Sequence, residues 1–121
     1  MTRRIHWVSL VLMTCFFMSG QAWAHAHLKA AQPADKAVVS SISDIELTFS
    51  EGLSLKFSGI KVTGPGKQEV ALGEAMLMDE GKTLMIPVSS KLQPGSYTVD
   101  WHALSVDGHK TNGSYSFVVS P

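Results

Sequence analysis

A chain of 121 residues, 45% of them apolar, carries 10 Lys and Arg against 10 Asp and Glu and so has no net charge. That length builds one small domain around a single core. The charge balance excludes nucleic acid or an anionic membrane surface as the natural partner, and a lone cysteine, Cys15, excludes a disulfide framework.

In chain order, the first element is not part of the fold. Arg3 and Arg4 form a basic start, residues 7–18 are an apolar run, and Gln21-Ala22-Trp23-Ala24 supplies a small-x-small cleavage signal. This pattern predicts a secretory signal peptide over residues 1–24, removed to leave a domain of residues 25–121. The run is shorter than the roughly 20 residues that span a bilayer, so no direct membrane insertion is expected after cleavage. Cys15 leaves with the leader, and the exported domain depends on its core alone for stability. Loss of Arg3 and Arg4 also leaves a slight acidic excess. Ala24-His25-Ala26 is a second small-x-small signal, and its use would start the chain at His27 instead.

The remainder predicts strands and turns. Ile45-Glu46-Leu47-Thr48-Phe49 alternates apolar and polar residues as a half-buried strand does. Residues 53–63 hold a second alternating stretch, ended by the breakers Gly64-Pro65-Gly66, and residues 68–72 form a short strand. Asp79-Glu80-Gly81-Lys82 is a turn whose closure sets Leu77 opposite Leu84 and Met76 opposite Met85. The leucines then share one face, and Met76, Met78 and Met85 the other. Tyr97, Val99 and Trp101 point to the core from one strand, and Tyr115, Phe117 and Val119 from the last. Residues 34–41 have room for one helical turn. With turn signals every 8–12 residues, the fold class is all-β: a single Greek-key sandwich or barrel.

Two segments carry metal-binding chemistry. Cleavage after Ala24 gives His25 a free α-amine beside its imidazole, two nitrogens that close a chelate ring on one metal ion. Cu(II) favours such tetragonal nitrogen and oxygen ligands and stands at the top of the divalent affinity order. In an extended segment His27 projects to the same side as His25. The second segment, Asp107-Gly108-His109, offers a carboxylate and an imidazole two residues apart beside a glycine that permits a tight bend. Alone, that tripeptide is a plain hairpin turn with a solvated histidine. Of the five histidines, however, His6 leaves with the signal, and three of the other four lie in these two segments. The fourth, His102, points away from the Tyr97/Val99/Trp101 face and is left out of the site.

The chain from His25 onward resembles the CopC family of periplasmic copper-resistance proteins, and its short, cysteine-free members most. The resemblance is carried by His25-Ala26-His27-Leu28, Gln32-Pro33-Ala34-Asp35 and Leu47-Thr48-Phe49-Ser50-Glu51. It continues through Leu92-x-Pro94-Gly95-x-Tyr97-x-Val99-x-Trp101 and Ser105-x-Asp107-Gly108-His109-x-x-x-Gly113-x-Tyr115-x-Phe117. It implies a cupredoxin-like or immunoglobulin-like sandwich and one Cu(II) ion held by His25, Asp107 and His109, with His27 a ligand in some members. It also implies a periplasmic location and a CopD-like inner-membrane partner. Some members bind Cu(I) through a methionine-rich loop. Here that stretch retains Met76, Met78 and Met85, and flexible filling of the sandwich is the preferred reading of them.

Two other functions fit parts of the pattern. An N-terminal histidine brace on a β-sandwich is also the site of copper-dependent polysaccharide monooxygenases. Those need a flat aromatic surface, and of the three tryptophans only Trp101 survives cleavage. A carboxylate on the metal would also occupy the position oxygen needs. The last alternative is a metal-free interaction module with incidental histidines. A copper carrier without catalytic activity is the reading these residues favour.

Overall fold

The period-two alternation along the chain becomes eight strands. The computed structural model describes residues 27–121, so the predicted signal peptide and His25 lie outside the described residues. The strands are β1 (Leu28–Gln32), β2 (Val38–Val39), β3 (Asp44–Phe49), β4 (Gly59–Thr63), β5 (Met76–Met78), β6 (Thr83–Pro87), β7 (Gly95–Leu104) and β8 (Lys110–Val119). They form two four-stranded sheets, ordered β1-β3-β6-β5 and β2-β8-β7-β4. This is the expected all-β sandwich. Among the described residues no helix is long and apolar enough to cross a membrane.

Every second residue of the central strands faces the other sheet. Ile45, Leu47 and Phe49 of β3 and Leu84 and Ile86 of β6 meet Val62 of β4, Tyr97, Val99 and Ala103 of β7 and Tyr115, Phe117 and Val119 of β8, all buried. Full burial of each larger side chain contributes about 1.5–3 kcal/mol. Tyr97 stacks on Phe117 with ring centroids 5.5 Å apart, and Phe49 meets Trp101 edge-on at 5.3 Å. The Tyr97 hydroxyl, at the polar tip of a buried ring, donates to the Gln93 carbonyl at 2.6 Å. Gly113 pairs with Trp101, and a Cβ there would lie 2.6 Å from the indole. Only a glycine lets the ring lie across that strand.

Three expectations about secondary structure change. The alternation over residues 53–63 yields a strand only from Gly59 onward. Leu53 makes an isolated bridge to Ser105, and Leu55–Phe57 is a short 3-10 turn. Leu55 and Phe57 are 41% and 56% exposed, because this segment carries the chain from one sheet to the other and has no sheet to cover it. Residues 68–72 make isolated bridges, Thr63 to Glu69 and Leu72 to Val88, rather than a strand. Residues 34–41 contain the short strand β2 instead of a helical turn, paired parallel to β8.

The β5–β6 hairpin has the expected register, with Met76 opposite Met85 and Leu77 opposite Leu84. Leu84 is fully buried, whereas Met76 is 46% exposed. The preferred reading of the methionines as filling for the sandwich is therefore corrected. Met85 pairs across to Glu46, whose neighbours Ile45 and Leu47 point into the core, so alternation sets Met76, Met78 and Met85 on the outer face of their sheet.

Candidate metal centre

Asp107 and His109 are brought together by the turn that joins the two longest strands. The Ser105 amide donates to the His109 carbonyl at 3.0 Å and the Gly108 amide to the Ser105 carbonyl at 2.9 Å. Gly108 sits at φ 94°, the left-handed region a glycine enters without strain. The turn sets His109 Nδ1 3.0 Å from Asp107 Oδ1, with both side chains 42% exposed. Beneath them Ser105 is 1% exposed, and its hydroxyl donates to the same Asp107 Oδ1. The Ser105 hydroxyl and the His109 ring hold the Asp107 carboxyl below its ordinary value of 3.8, since both bonds favour the anion.

The turn is tied to two other segments at the same end of the sandwich. The Val106 amide donates to the Gly52 carbonyl at 3.0 Å, the Ser54 amide to Leu104 at 2.8 Å and the Leu53 amide to Gly81 at 2.9 Å. Ser50 holds the start of β1 from both sides. Its amide donates to the His27 carbonyl at 2.9 Å, and its Oγ accepts from the His27 amide at 2.8 Å. His27 thus enters at the end of the molecule where Asp107 and His109 stand. Ser50 and Ser105 were missed as supporting residues by sequence reasoning. The spacing Ser105-x-Asp107 is a local signal for a hydroxyl-to-carboxylate bond, but the Ser50–His27 tie is not local and left no signal.

Among the described residues no group of three or more His, Cys, Asp and Glu side chains is gathered as a metal cage. The turn supplies one oxygen and one nitrogen donor, a fit to Cu(II) chemistry that calls for further donors from elsewhere. His102 is exposed and pairs with Gly59 and Asn112 on the outer face of its sheet, as expected of a residue outside the site. Met76, Met78 and Met85 form a separate thioether group on the other sheet.

A two-sheet sandwich of this order is a cupredoxin-like scaffold, here presenting a carboxylate and an imidazole from one end-turn. The model of the CopC domain matches residues 28–120, and the chain belongs to the CopC family. It is 43% identical over 113 residues to Protein YobA of Escherichia coli K12, a match covering 92% of this chain and 91% of that one. It is 35% identical over 105 residues to copper resistance protein C of Escherichia coli, covering 81% and 83% of the two chains. Among solved structures, PcoC, a methionine-rich copper resistance protein of Escherichia coli, superposes with a TM-score of 0.73 at 35% identity, over 80% of this chain and all of that one. The family consists of copper-binding resistance proteins rather than enzymes, which sets the monooxygenase alternative aside.

Proposed function

We propose that this chain is an exported, periplasmic copper-resistance protein that holds one Cu(II) ion between the mature start at His25 and the Asp107–His109 turn. The observation that carries the reading is the turn itself. It presents an anionic carboxylate and an imidazole, half exposed and 3.0 Å apart, at the end where β1 begins. His25 stands two residues before His27, a reach of about 7 Å of extended chain. Cleavage after Ala24 makes it a two-nitrogen donor, and two nitrogens added to the turn's oxygen and nitrogen complete a tetragonal set. Cleavage after Ala26 would pass the same role to His27. With Nδ1 of His109 held by Asp107, the metal bond of that ring falls to Nε2.

Copper is cargo here. A site of hard and borderline donors favours Cu(II), so reduction to Cu(I) weakens the hold and permits release. Release to a CopD-like inner-membrane protein, or sequestration, follows from that difference. The outward-facing Met76, Met78 and Met85 offer thioethers suited to the reduced ion. Electron paramagnetic resonance of residues 25–121 with one equivalent of Cu(II) tests the reading. The expected spectrum is tetragonal with nitrogen couplings, and one extra residue before His25 should weaken binding by about 10–100-fold. Equal affinity with and without the extension would rule out the role of His25. Uniformly weak binding would return the chain to a metal-free interaction module.

A further inference from the structure

We propose that Ser105 is the positioning residue of this copper site: its buried hydroxyl holds the Asp107 carboxylate in a single ligand-ready orientation before the metal arrives. The inference rests on Asp107 and His109 being ligands, as proposed above, and adds a residue that touches no metal.

Ser105 joins the interior to the site. It is 1% exposed, while the side chains of Asp107 and His109 are 42% exposed. Its backbone closes the turn through both its amide and its carbonyl. Its side chain adds two further bonds. The hydroxyl donates to Asp107 Oδ1, and its oxygen accepts from the His109 amide at 3.3 Å. One hydroxyl thus fixes the carboxylate and the backbone of the imidazole-bearing residue at once. Ser105 is itself held in place, because it bridges to Leu53 across the sandwich end and follows the buried Ala103 on β7.

The placement has a chemical consequence. An exposed aspartate on a turn samples several rotamers, and ordering it on binding costs affinity. A carboxylate already bonded at Oδ1 has lost that freedom in the apo protein, with Oδ2 of the same group oriented by the same bond. Groups that orient a metal's ligands typically change affinity by about 10–100-fold when removed.

A double-mutant cycle on the mature protein tests this, with Cu(II) affinity measured by competition and melting of the apo form followed in parallel. Ser105→Ala should weaken Cu(II) by about 10–100-fold and alter its paramagnetic spectrum, whereas the same change in an Asp107→Ala background should cost under about threefold. Ser105→Thr, which keeps a hydroxyl, should restore most of the loss. Unchanged affinity in Ser105→Ala, with Asp107→Ala still weakened, would overturn the positioning role and leave the ligand reading standing. Equal losses in both backgrounds would also overturn it. Unchanged affinity in Asp107→Ala and His109→Ala would remove the ligand reading and this inference together. If Ser105→Ala does not fold, the three-bond couplings of the Asp107 β-protons in the wild-type apo protein decide the matter. One χ1 rotamer is expected, and averaged couplings would sink the proposal.

Discussion

Two turns of this molecule use the same local chemistry to different ends. In the β5–β6 turn, Asp79 accepts at 2.8 Å from the hydroxyl of Thr83, itself 1% exposed. In the β7–β8 turn, Asp107 accepts from the hydroxyl of the equally buried Ser105. Thr83 in turn accepts from the Thr48 hydroxyl of the neighbouring strand at 3.0 Å, so this aspartate ties an exposed loop, with Asp79 and Glu80 at positive φ, to a hydroxyl pair within the sheet. Asp107 instead meets His109 at the surface. An aspartate over a buried hydroxyl is therefore not by itself a site. A second donor on the solvent side is what distinguishes the proposed ligand pair from a brace.

Acid should separate the two turns most sharply. Asp107 has its carboxyl depressed below 3.8 in the fold. Its contribution to stability is thus present above that value and lost only as pH falls through the lower folded one. Between pH 7 and 5 it stays anionic, and apo stability should show no loss from this group. The α-amine of a mature start at His25, with an ordinary value of about 7.7–8, must shed its proton to bind copper. Cu(II) affinity should therefore fall by up to about a hundredfold over the same window from the amine alone. A pH-independent affinity would place the copper elsewhere.

Substitution should separate them next. Asp107→Ala and His109→Ala should each weaken Cu(II) by at least the roughly 10–100-fold typical of losing a supporting group and change its spectrum, while the apo protein stays folded with a melt lowered only slightly. Unchanged spectra in both would return the second turn to a plain hairpin. Thr83→Val should do the reverse. It destabilises the apo protein by about 1 kcal/mol, because the Asp79 and Thr48 oxygens lose their shared partner, and it leaves copper affinity intact. A copper phenotype for Thr83→Val would break the distinction between the turns.

A third hydroxyl sharpens the point with the smallest effect. The Tyr115 hydroxyl is buried with no hydrogen-bond partner among the described residues. Burial, with the Asp35 charge adding to it, raises its pKa from 10.0 to about 12. A raised folded value contributes stability below 10 that is lost as pH climbs toward 12, since the unfolded chain ionises first. Tyr115→Phe should be neutral or stabilising by about 1 kcal/mol at pH 7, and should reduce alkaline destabilisation between pH 10 and 12. A clear loss of stability at neutral pH would mean that this hydroxyl has a partner.

Local patterns determined much of this protein from the sequence alone. The alternation in β3, β7 and β8 named the core residues, because a strand buried on one face must place apolar side chains at every second position. The turn at 79–82 set the β5–β6 register for the same reason. Asp107-Gly108-His109 was legible as a donor pair because both donor side chains and the glycine that bends the chain lie within three residues. What only the tertiary structure decided depends on contacts between distant segments. Residues 53–57 alternate like a strand yet cross between sheets, and no local pattern says which alternating segments will find a partner. The methionines face outward because β5 is an edge strand whose leucine face was claimed by the core. Ser105 lies under the Asp107–His109 turn, and His27 is tied to Ser50 across 23 residues of sequence, because the closing of the sandwich end, not the local chain, sets those hydroxyls beside the groups they hold.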